Sequence, residues 1–483
     1  MLHVARASFI LLFACSTALL ASSCGNEGDS STGAGGDETV GAGGGAGGAE
    51  PCTAGTFDGD GDPATACAPW TECGLGDEEV TPGTATSDRV CAPLAWTQQF
   101  GEAEKGYFAQ AVAVDQQGYI FVVGYAVDYS DPTVEGDVDA FVTALAPDGT
   151  IIWDDVLTTS EADAAYGVAV DASGNVFVAG RTDGALFEAA GYGQTDAFVR
   201  AYGHDGSSLW AQQFGTPSFD EAAAIAVDED GNVYAGGTTY GLLSGQSGVG
   251  DPNAFIRAFT NDGSFLWDRQ FALTDDEVDY DKVNAIVVDQ AGRLVVAGVD
   301  EGHAGEYRQA FVRAYASDGE VLWDRLSGAP DRHYDANAVV VDGAGNVFVA
   351  GEIFVQPGDH DAFVEALSPD GQLLWDETFG PTDDDRANTL AIDAVGNVLL
   401  AGQGSLPGQE SSGAQDVIVR GYSADGAVLW DHQVGTAYTD TGDGIAVDAQ
   451  GNIIVVGMTG DVLGETMVGY FDAFVSRFRP PAP

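Results

Sequence analysis

From residue 94 onward the chain repeats one alternation of apolar and polar positions. In GVAVDASGNVFVAG, residues 167–180, and DAFVRAYGHDGSSLWAQQF, residues 196–214, four apolar runs of strand length are separated by turn signals. Gly174-Asn175 marks the first turn and Asp205-Gly206 the third, both suited to the positive φ angles of tight hairpins. In the second run Val176 and Val178 point one way and Phe177 and Ala179 the other, so both faces of this small sheet are apolar and must be covered.

The unit recurs with fixed spacings. Asp115, Asp171, Asp228, Asp289, Asp342, Asp393 and Asp448 close the first run, each followed three residues later by glycine. Nine residues after each comes a second glycine: Gly124, Gly180, Gly237, Gly298, Gly351, Gly402 and Gly457. The third run opens at Asp139, Asp196, Asn253, Gln309, Asp361, Asp416 and Asp472. Trp96, Trp153, Trp210, Trp267, Trp323, Trp375 and Trp430 stand 57, 57, 57, 56, 52 and 55 residues apart. Seven first, second and third runs are present, but the third turn occurs six times, at Gly149, Gly206, Gly263, Gly319, Gly371 and Gly426. The missing fourth run is LAWTQQF, residues 94–100, which matches LWAQQF and precedes the first full unit. Pairing it with the last third strand closes a ring and removes the open edge of the array. The expected fold is all-β: a seven-bladed β-propeller over residues 94–483, closed by an N-terminal strand.

These repeats resemble the bacterial propeller-repeat (SBBP-type) family, whose pattern A-V-D-x-x-G-N-V-x-V-A-G, D-A-F-V and D-G-x-x-L-W they follow over residues 94–479. The resemblance implies the fold and little about activity, because propellers host many unrelated functions. The G-x-x-x-W element also resembles the tryptophan-docking motif of quinoprotein propellers, but its Ala-Asp-Thr part is missing and seven units are fewer than that fold uses, so no quinone is expected; the cofactor expectation is none, with Ca²⁺ as the alternative.

The N-terminal part reads differently. After His3 and Arg6, an apolar run from Ala7 to Leu20 and the small residues Ala21, Ser22 and Ser23 precede Cys24, which reads as an export signal over residues 1–23. The junction resembles the lipobox of bacterial lipoproteins, with Ala21 where that motif more often has Leu. It implies lipidation of Cys24 and a place on the outer membrane or cell surface, with plain secretion as the alternative. Residues 24–50 are Gly-rich and lack an apolar period, so they form a flexible tether. A coil of about 26 residues spans roughly 28 Å.

Cys52, Cys67, Cys73 and Cys91 lie within 40 residues, and none follows. Residues 51–93 are therefore expected to be a small module stapled by disulfides, for which spacing permits three pairings. Cys52 with Gly55-Thr56-Phe57, Cys67, Pro69-Trp70-Thr71, Cys73, Gly83-Thr84, Asp88 and Cys91 resemble a cysteine-rich repeat of the tumour-necrosis-factor-receptor type. That resemblance implies Cys52–Cys67 and Cys73–Cys91. With one copy present, a spacer is the expected role. Asp58, Asp60 and Asp62 place three carboxylates two residues apart without the distal bidentate Glu of a Ca²⁺ loop, so an acidic turn is the expectation and Ca²⁺ the alternative.

Against 75 acidic residues stand 17 basic ones, a net charge of −58. Such a field repels phosphate and excludes nucleic-acid or anionic-membrane binding, so contact with a membrane would be through the lipid anchor only. A charged partner should be cationic, although the balance also suits solubility in a salty medium. In a four-stranded meander the first and third turns share one face and all long variable loops the other. Those loops carry Asp128, Tyr129, Phe187, Tyr192, Tyr240, Asp275, Asp276, Tyr280, Asp383, Asp384 and Tyr438, aromatic planes beside carboxylates that suit a surface protein or a glycan. Asp163, Asp220, Asp281, Asp385 and Asp440 each lie eight residues before a first-strand aspartate and are read as caps of their own loops rather than a cation ring. His303, His333 and His360 fall in variable-face loops of adjacent blades, where chance placement is the expectation and a metal or acid–base site the alternative. No nucleophile elbow, Walker loop, HExxH or dinucleotide fingerprint occurs, and the propeller has no cysteine. The expected function is a monomeric, non-enzymatic binding scaffold. The rivals are a polysaccharide lyase or hydrolase with a site at the propeller mouth and a purely structural envelope protein.

Overall fold

The computed structural model describes residues 96–480 except 131–136, 188–190, 247–251, 274–279, 301–306, 330, 357–358, 381–383, 410–411 and 464–466. In the cysteine-rich segment it describes the strands Thr56–Phe57, Ala68–Pro69, Asp77–Thr81 and Val90–Pro93, which form two short antiparallel pairs. Cys24, Cys52, Cys67, Cys73, Asp58, Asp60, Asp62, Asp275, Asp276, Asp383 and His303 lie outside the described residues, as does the side chain of Cys91. Among the described residues no helix is long and apolar enough to cross a membrane.

Seven four-stranded antiparallel sheets follow one another as the blades of a propeller. Blade 1 covers residues 105–157, blade 2 163–214, blade 3 220–271, blade 4 281–327, blade 5 333–379 and blade 6 386–434. Blade 7 combines residues 440–478 with Trp96–Phe100, whose register runs Ala473↔Phe100 to Arg477↔Trp96. One blade is thus built from both ends of the propeller sequence.

Because each sheet is apolar on both faces, the core lies between blades. Phe177, Val199 and Phe214 of blade 2 pack with Ile225, Val233 and Phe255 of blade 3, and equivalent clusters fill the other interfaces. Phe198, Phe255 and Phe311 are essentially inaccessible to solvent, and each such burial stabilises the fold by about 2–3 kcal/mol. The first turn is set by its aspartate. Asp171 Oδ1 accepts the N–H groups of Ser173 and Asn175, both at 2.8 Å, and Oδ2 accepts Asn175 Nδ2, while Gly174 takes φ 82°.

The tryptophans explain why blades stack in one register. Trp153 Nε1 donates to the His204 carbonyl at 3.0 Å, Trp210 to Asn261 at 2.7 Å, Trp323 to Pro369 at 3.0 Å and Trp375 to Ala424 at 3.0 Å. Each acceptor lies in the third turn of the next blade. The indole covers that turn's glycine so closely that a Cβ on Gly263 would lie 2.6 Å from the Trp210 ring. Trp96 makes the same dock on blade 1, donating to Pro147 at 3.3 Å beside Gly149, and so continues the series across the junction of the two ends. At Gly319 the place is taken by Arg269, whose guanidinium lies 5.3 Å from the Trp267 ring and 3.4 Å from the Asp318 carbonyl.

Trp210→Ala removes this contact and its hydrogen bond and should cost about 2–4 kcal/mol. Gly263→Ala, at φ 81°, should also destabilise, whereas Val395→Ala at an 82% exposed turn should stay within about 0.5 kcal/mol of wild type. Guanidinium unfolding midpoints check all three.

Candidate binding site at the channel mouth

Every innermost strand contains a β-bulge at the same point, between Ala109/Ala111, Ala165/Gly167, Ala222/Ala224, Val283/Ala285, Ala336/Ala338, Ala387/Thr389 and Gly442/Gly444. The cause is a close backbone approach. A Cβ on Gly180 would lie 2.0 Å from the Ala164 carbonyl oxygen, and one on Gly237 1.8 Å from that of Glu221. The second glycine of each repeat therefore exists to let the two strands meet at the bulge.

The extra residue of each bulge is aimed into the axial channel, giving a ring of Gln110, Tyr166, Ala223, Asn284, Asn337, Asn388 and Asp443. Three of these bridge to the next blade: Asn284 Nδ2 donates to the Ala336 carbonyl at 3.0 Å, Asn337 to Ala387 at 3.3 Å and Asn388 to Gly442 at 3.3 Å. Asn388 Nδ2 also reaches Asp443 Oδ1 at 3.0 Å, and Thr441 Oγ1 donates to Asp443 Oδ2 at 2.6 Å. Desolvation at the channel wall outweighs both bonds and pushes the Asp443 carboxyl up to about 6.

Above this ring, on the variable-loop face, the channel widens to a mouth of about 480 Å³. Its rim is a set of cross-strand pairs, one per blade: Phe108↔Tyr125, Ala164↔Arg181, Glu221↔Thr238, Lys282↔Val299, Asp335↔Glu352, Arg386↔Gln403 and Thr441↔Met458. Chemistry is sorted around it. Lys282 Nζ lies 2.8 Å from Glu221, with Arg181 3.7 Å from the same carboxylate. Arg386 Nε lies 3.0 Å from both Glu352 and Asp384. On the other side Phe108 and Tyr125 stack at 5.1 Å, and Tyr125 meets Tyr166 at 6.4 Å.

Four of the five aspartates eight residues before a first-strand aspartate cap their loops. Asp163 Oδ2 accepts Thr159 N–H at 2.6 Å, Asp220 and Asp440 do the same for Thr216 and Thr436, and Asp385 accepts Ser405 N–H. Burial pushes Asp163, Asp220 and Asp440 above the ordinary carboxylate range against these bonds. Asp196, Asp416 and Asp472 tie down the second loops by accepting N–H groups of Tyr192, Ser412 and Val468.

Several aromatic loop residues meet in small groups. Tyr129 meets Tyr470 edge-on at 5.5 Å, and Tyr240 contacts Phe219 at 5.4 Å and Tyr280 at 6.2 Å. Tyr192 and Tyr438 are 57% and 60% exposed, which leaves their rings open to a partner. Asp128 caps Ser130 at 2.8 Å, and that bond holds its carboxyl below the usual range. Asp384 pairs with Arg386 and Gln415. Phe187 is a packing residue rather than part of the open face: it is half-buried against Phe198 at 6.1 Å, with the Arg200 guanidinium 5.0 Å from its ring.

His333 and His360 come together across Phe354, with ring centroids 5.8 and 5.2 Å from it, in a cleft of about 300 Å³ that also contains Arg308, Asp335 and Glu352. His333 Nδ1 accepts the Arg308 backbone N–H at 2.9 Å, which leaves Nε2 to carry the proton. His360 Nδ1 lies 2.7 Å from Glu352, whose carboxyl is raised chiefly by burial. Among the described residues no group of three or more His, Cys, Asp or Glu is placed to hold a metal ion.

Sequence reasoning missed the channel ring and the rim pairs. The rim pairs had a signal in the repeat: the position after the capping aspartate, or after Tyr107 and Tyr334 in its place, and the position after each second glycine change chemistry from blade to blade.

Fold and site define a seven-bladed β-propeller with a polar axial channel. Residues 95–126, 157–188 and 209–244 match the β-propeller repeat family SBBP, and residues 52–91 match the TNFR/NGFR cysteine-rich region. The chain therefore carries SBBP propeller repeats behind one such cysteine-rich region. It is 25% identical over 363 residues to the regulatory protein FlaEY of Caulobacter vibrioides, covering 64% of this chain and 37% of that protein's length. Solved structures with a similar fold include polysaccharide lyase Uly1, 10% identical, TM-score 0.47, with 79% of this chain and 91% of that chain covered. A catalytically inactive virginiamycin B lyase from Staphylococcus aureus with quinupristin is 10% identical, TM-score 0.45, covering 79% and 99%.

Because the folded pKa of Asp443 is raised above its unfolded value, its ionisation opposes folding: no penalty below about pH 4, and a full one above about pH 6. Asp443→Asn should leave the Tm unchanged near pH 4 and raise it above wild type at pH 7, which thermal melts across that range will show.

Proposed function

We propose that this protein is an exported, lipid-anchored, non-enzymatic binding scaffold that presents the mouth and loop face of its propeller to a protein or glycan. The observation that carries this reading is the division of labour within the repeat. Capping aspartates, bulges and tryptophan docks recur from blade to blade, while rim and loop positions differ in every blade. A rigid ring whose side chains vary only around one mouth is suited to recognition. Most charged groups there are already paired with one another, which favours binding over proton transfer. The similarity to a regulatory protein accords with binding rather than turnover. The tether and the cysteine-rich spacer would hold the mouth away from the envelope, and a monomer suffices for this role.

Pull-down from the native cell surface, followed by binding assays on the captured ligand, tests the reading. Tyr129→Ala, Tyr192→Ala and Tyr240→Ala combined should weaken binding at least tenfold, because exposed aromatics commonly dominate such contacts. Unaltered binding by the folded triple variant overturns the loop-face assignment.

A second reading rests on the cleft of blade 5. His360 beside Glu352, with the Nε2–H of His333 across Phe354, has the parts of an acid–base pair for a polysaccharide lyase or hydrolase. Turnover on a polysaccharide panel that is abolished by His360→Ala, with the fold intact, would establish this reading over the first.

A further inference from the structure

We propose that the axial channel is a receptor for a single organic cation, an alkylammonium or guanidinium group, held at the ring of bulge residues; this deepens the binding reading above by naming what enters the mouth. Three observations converge. The first concerns the amides of Asn284, Asn337 and Asn388. Each directs an Nδ2 hydrogen sideways to a carbonyl of the next blade, a bond that leaves its amide oxygen available as an acceptor at the channel wall. Three consecutive blades thus present acceptors at one level, and Asp443 from the fourth adds a carboxylate there. A ligand meeting this wall must bring several N–H donors and a positive charge.

The second observation is the wall beside the acceptors. Tyr166 is itself a ring member, with Tyr125 6.4 Å from it and Phe108 stacked on Tyr125, so aromatic rings that can stabilise a cation stand beside the acceptors. Below the ring the channel is lined by Val112, Val168, Ile225, Val287, Leu390 and Ile445, an aliphatic floor that offers a charged head no alternative partner. Lys282 and Arg181 at the mouth share Glu221 at 2.8 and 3.7 Å, and Arg386 lies 3.0 Å from both Glu352 and Asp384, so these pairs reduce the opposition to a cation's entry. The third observation is global: a net charge of −58 draws cations towards any opening.

A bound cation would favour the charged form of Asp443, so affinity should rise as pH increases from 5 to 7. The other titratable or charged groups facing this space are Tyr125, Tyr166, Arg181, Glu221, Lys282, Glu352 and Arg386, with His360 and Asp384 against the last two. Burial raises both tyrosines, which therefore stay neutral across that range. The ion pairs among Arg181, Glu221, Lys282, Glu352 and Arg386 make Asp443 the expected source of the pH response.

Isothermal titration of the full chain with agmatine, with putrescine, with a Gly-Arg-Gly peptide and with glucose as a neutral control tests the proposal. Saturable binding of at least one cation, absent for glucose, is expected. Tighter binding of the peptide would mark a side chain presented by a protein, and tighter agmatine or putrescine a free amine. Asp443→Asn should weaken binding at least tenfold at pH 7 and abolish the pH dependence. Asn337→Ala should weaken it severalfold in a variant whose folding is checked by its melt. No saturable binding by any cation, equal binding of glucose, or affinities unchanged in both variants would overturn the channel site. Retained binding of the captured surface ligand in that case would leave the loop-face reading standing.

Discussion

The dock of a tryptophan on the next blade's third turn is the contact on which the rest of the ring depends. A blade with two apolar faces has no reason of its own to choose a register against its neighbour, since side-chain burial alone is nondirectional. The indole supplies the direction. Its N–H must reach a turn carbonyl, and its ring fits only where the turn residue lacks a Cβ, as at Gly206, Gly263, Gly371 and Gly426. With five junctions pinned in this way at the outer edge, and Arg269 at the turn of Gly319, the inner strands come into alignment around the axis. The channel ring exists as a ring because of that alignment.

Acidic residues serve three separable purposes in this chain, and their abundance hides the distinction. One set shapes the first turns, as Asp171 does with Ser173 and Asn175. A second set, including Asp163 and Asp220, is buried to hold the long loops in place, and these carboxyls are raised because desolvation outweighs their hydrogen bonds. Asp443 belongs to neither. It lies at the channel wall with two donors and, among the described residues, no cation within its hydrogen-bonding shell, on a scaffold that elsewhere places Arg257, Arg313 and Arg420 against aspartates. A carboxylate left in that state is costly, and costly polar groups cluster where function needs them.

Much of the fold was legible because repetition multiplies weak signals. A single Asp-x-x-Gly is a poor turn predictor, but seven of them in step with seven tryptophans leave little freedom. The candidate site was legible only in part. Tyr129, Tyr240 and Tyr280 were assignable to the variable-loop face because loop position follows from strand order, but their contacts with Tyr470 and Phe219 were not legible. Phe187 was misplaced because nothing in its loop reveals that Phe198 and Arg200 take up its ring. The meeting of His333 with His360 depends on Phe354 projecting between them, and these residues are brought together only by strand pairing within blade 5.

The sequence by itself determined the number of blades and the origin of the displaced strand, since both follow from counting a repeat whose apolar faces must be covered. Only the tertiary structure decided which residues face the channel. Strict alternation along residues 163–170 carries one side chain after another to opposite faces, but Ala165 packs with Val168 and Val170, so the parity changes across Tyr166. The bulge that changes it arises from the contact of Gly180 with the Ala164 carbonyl, a backbone approach that exists only after the strands pair. A one-residue shift of register exchanges inside for outside. That is why the ring from Gln110 to Asp443 could not be read from the pattern of the chain alone.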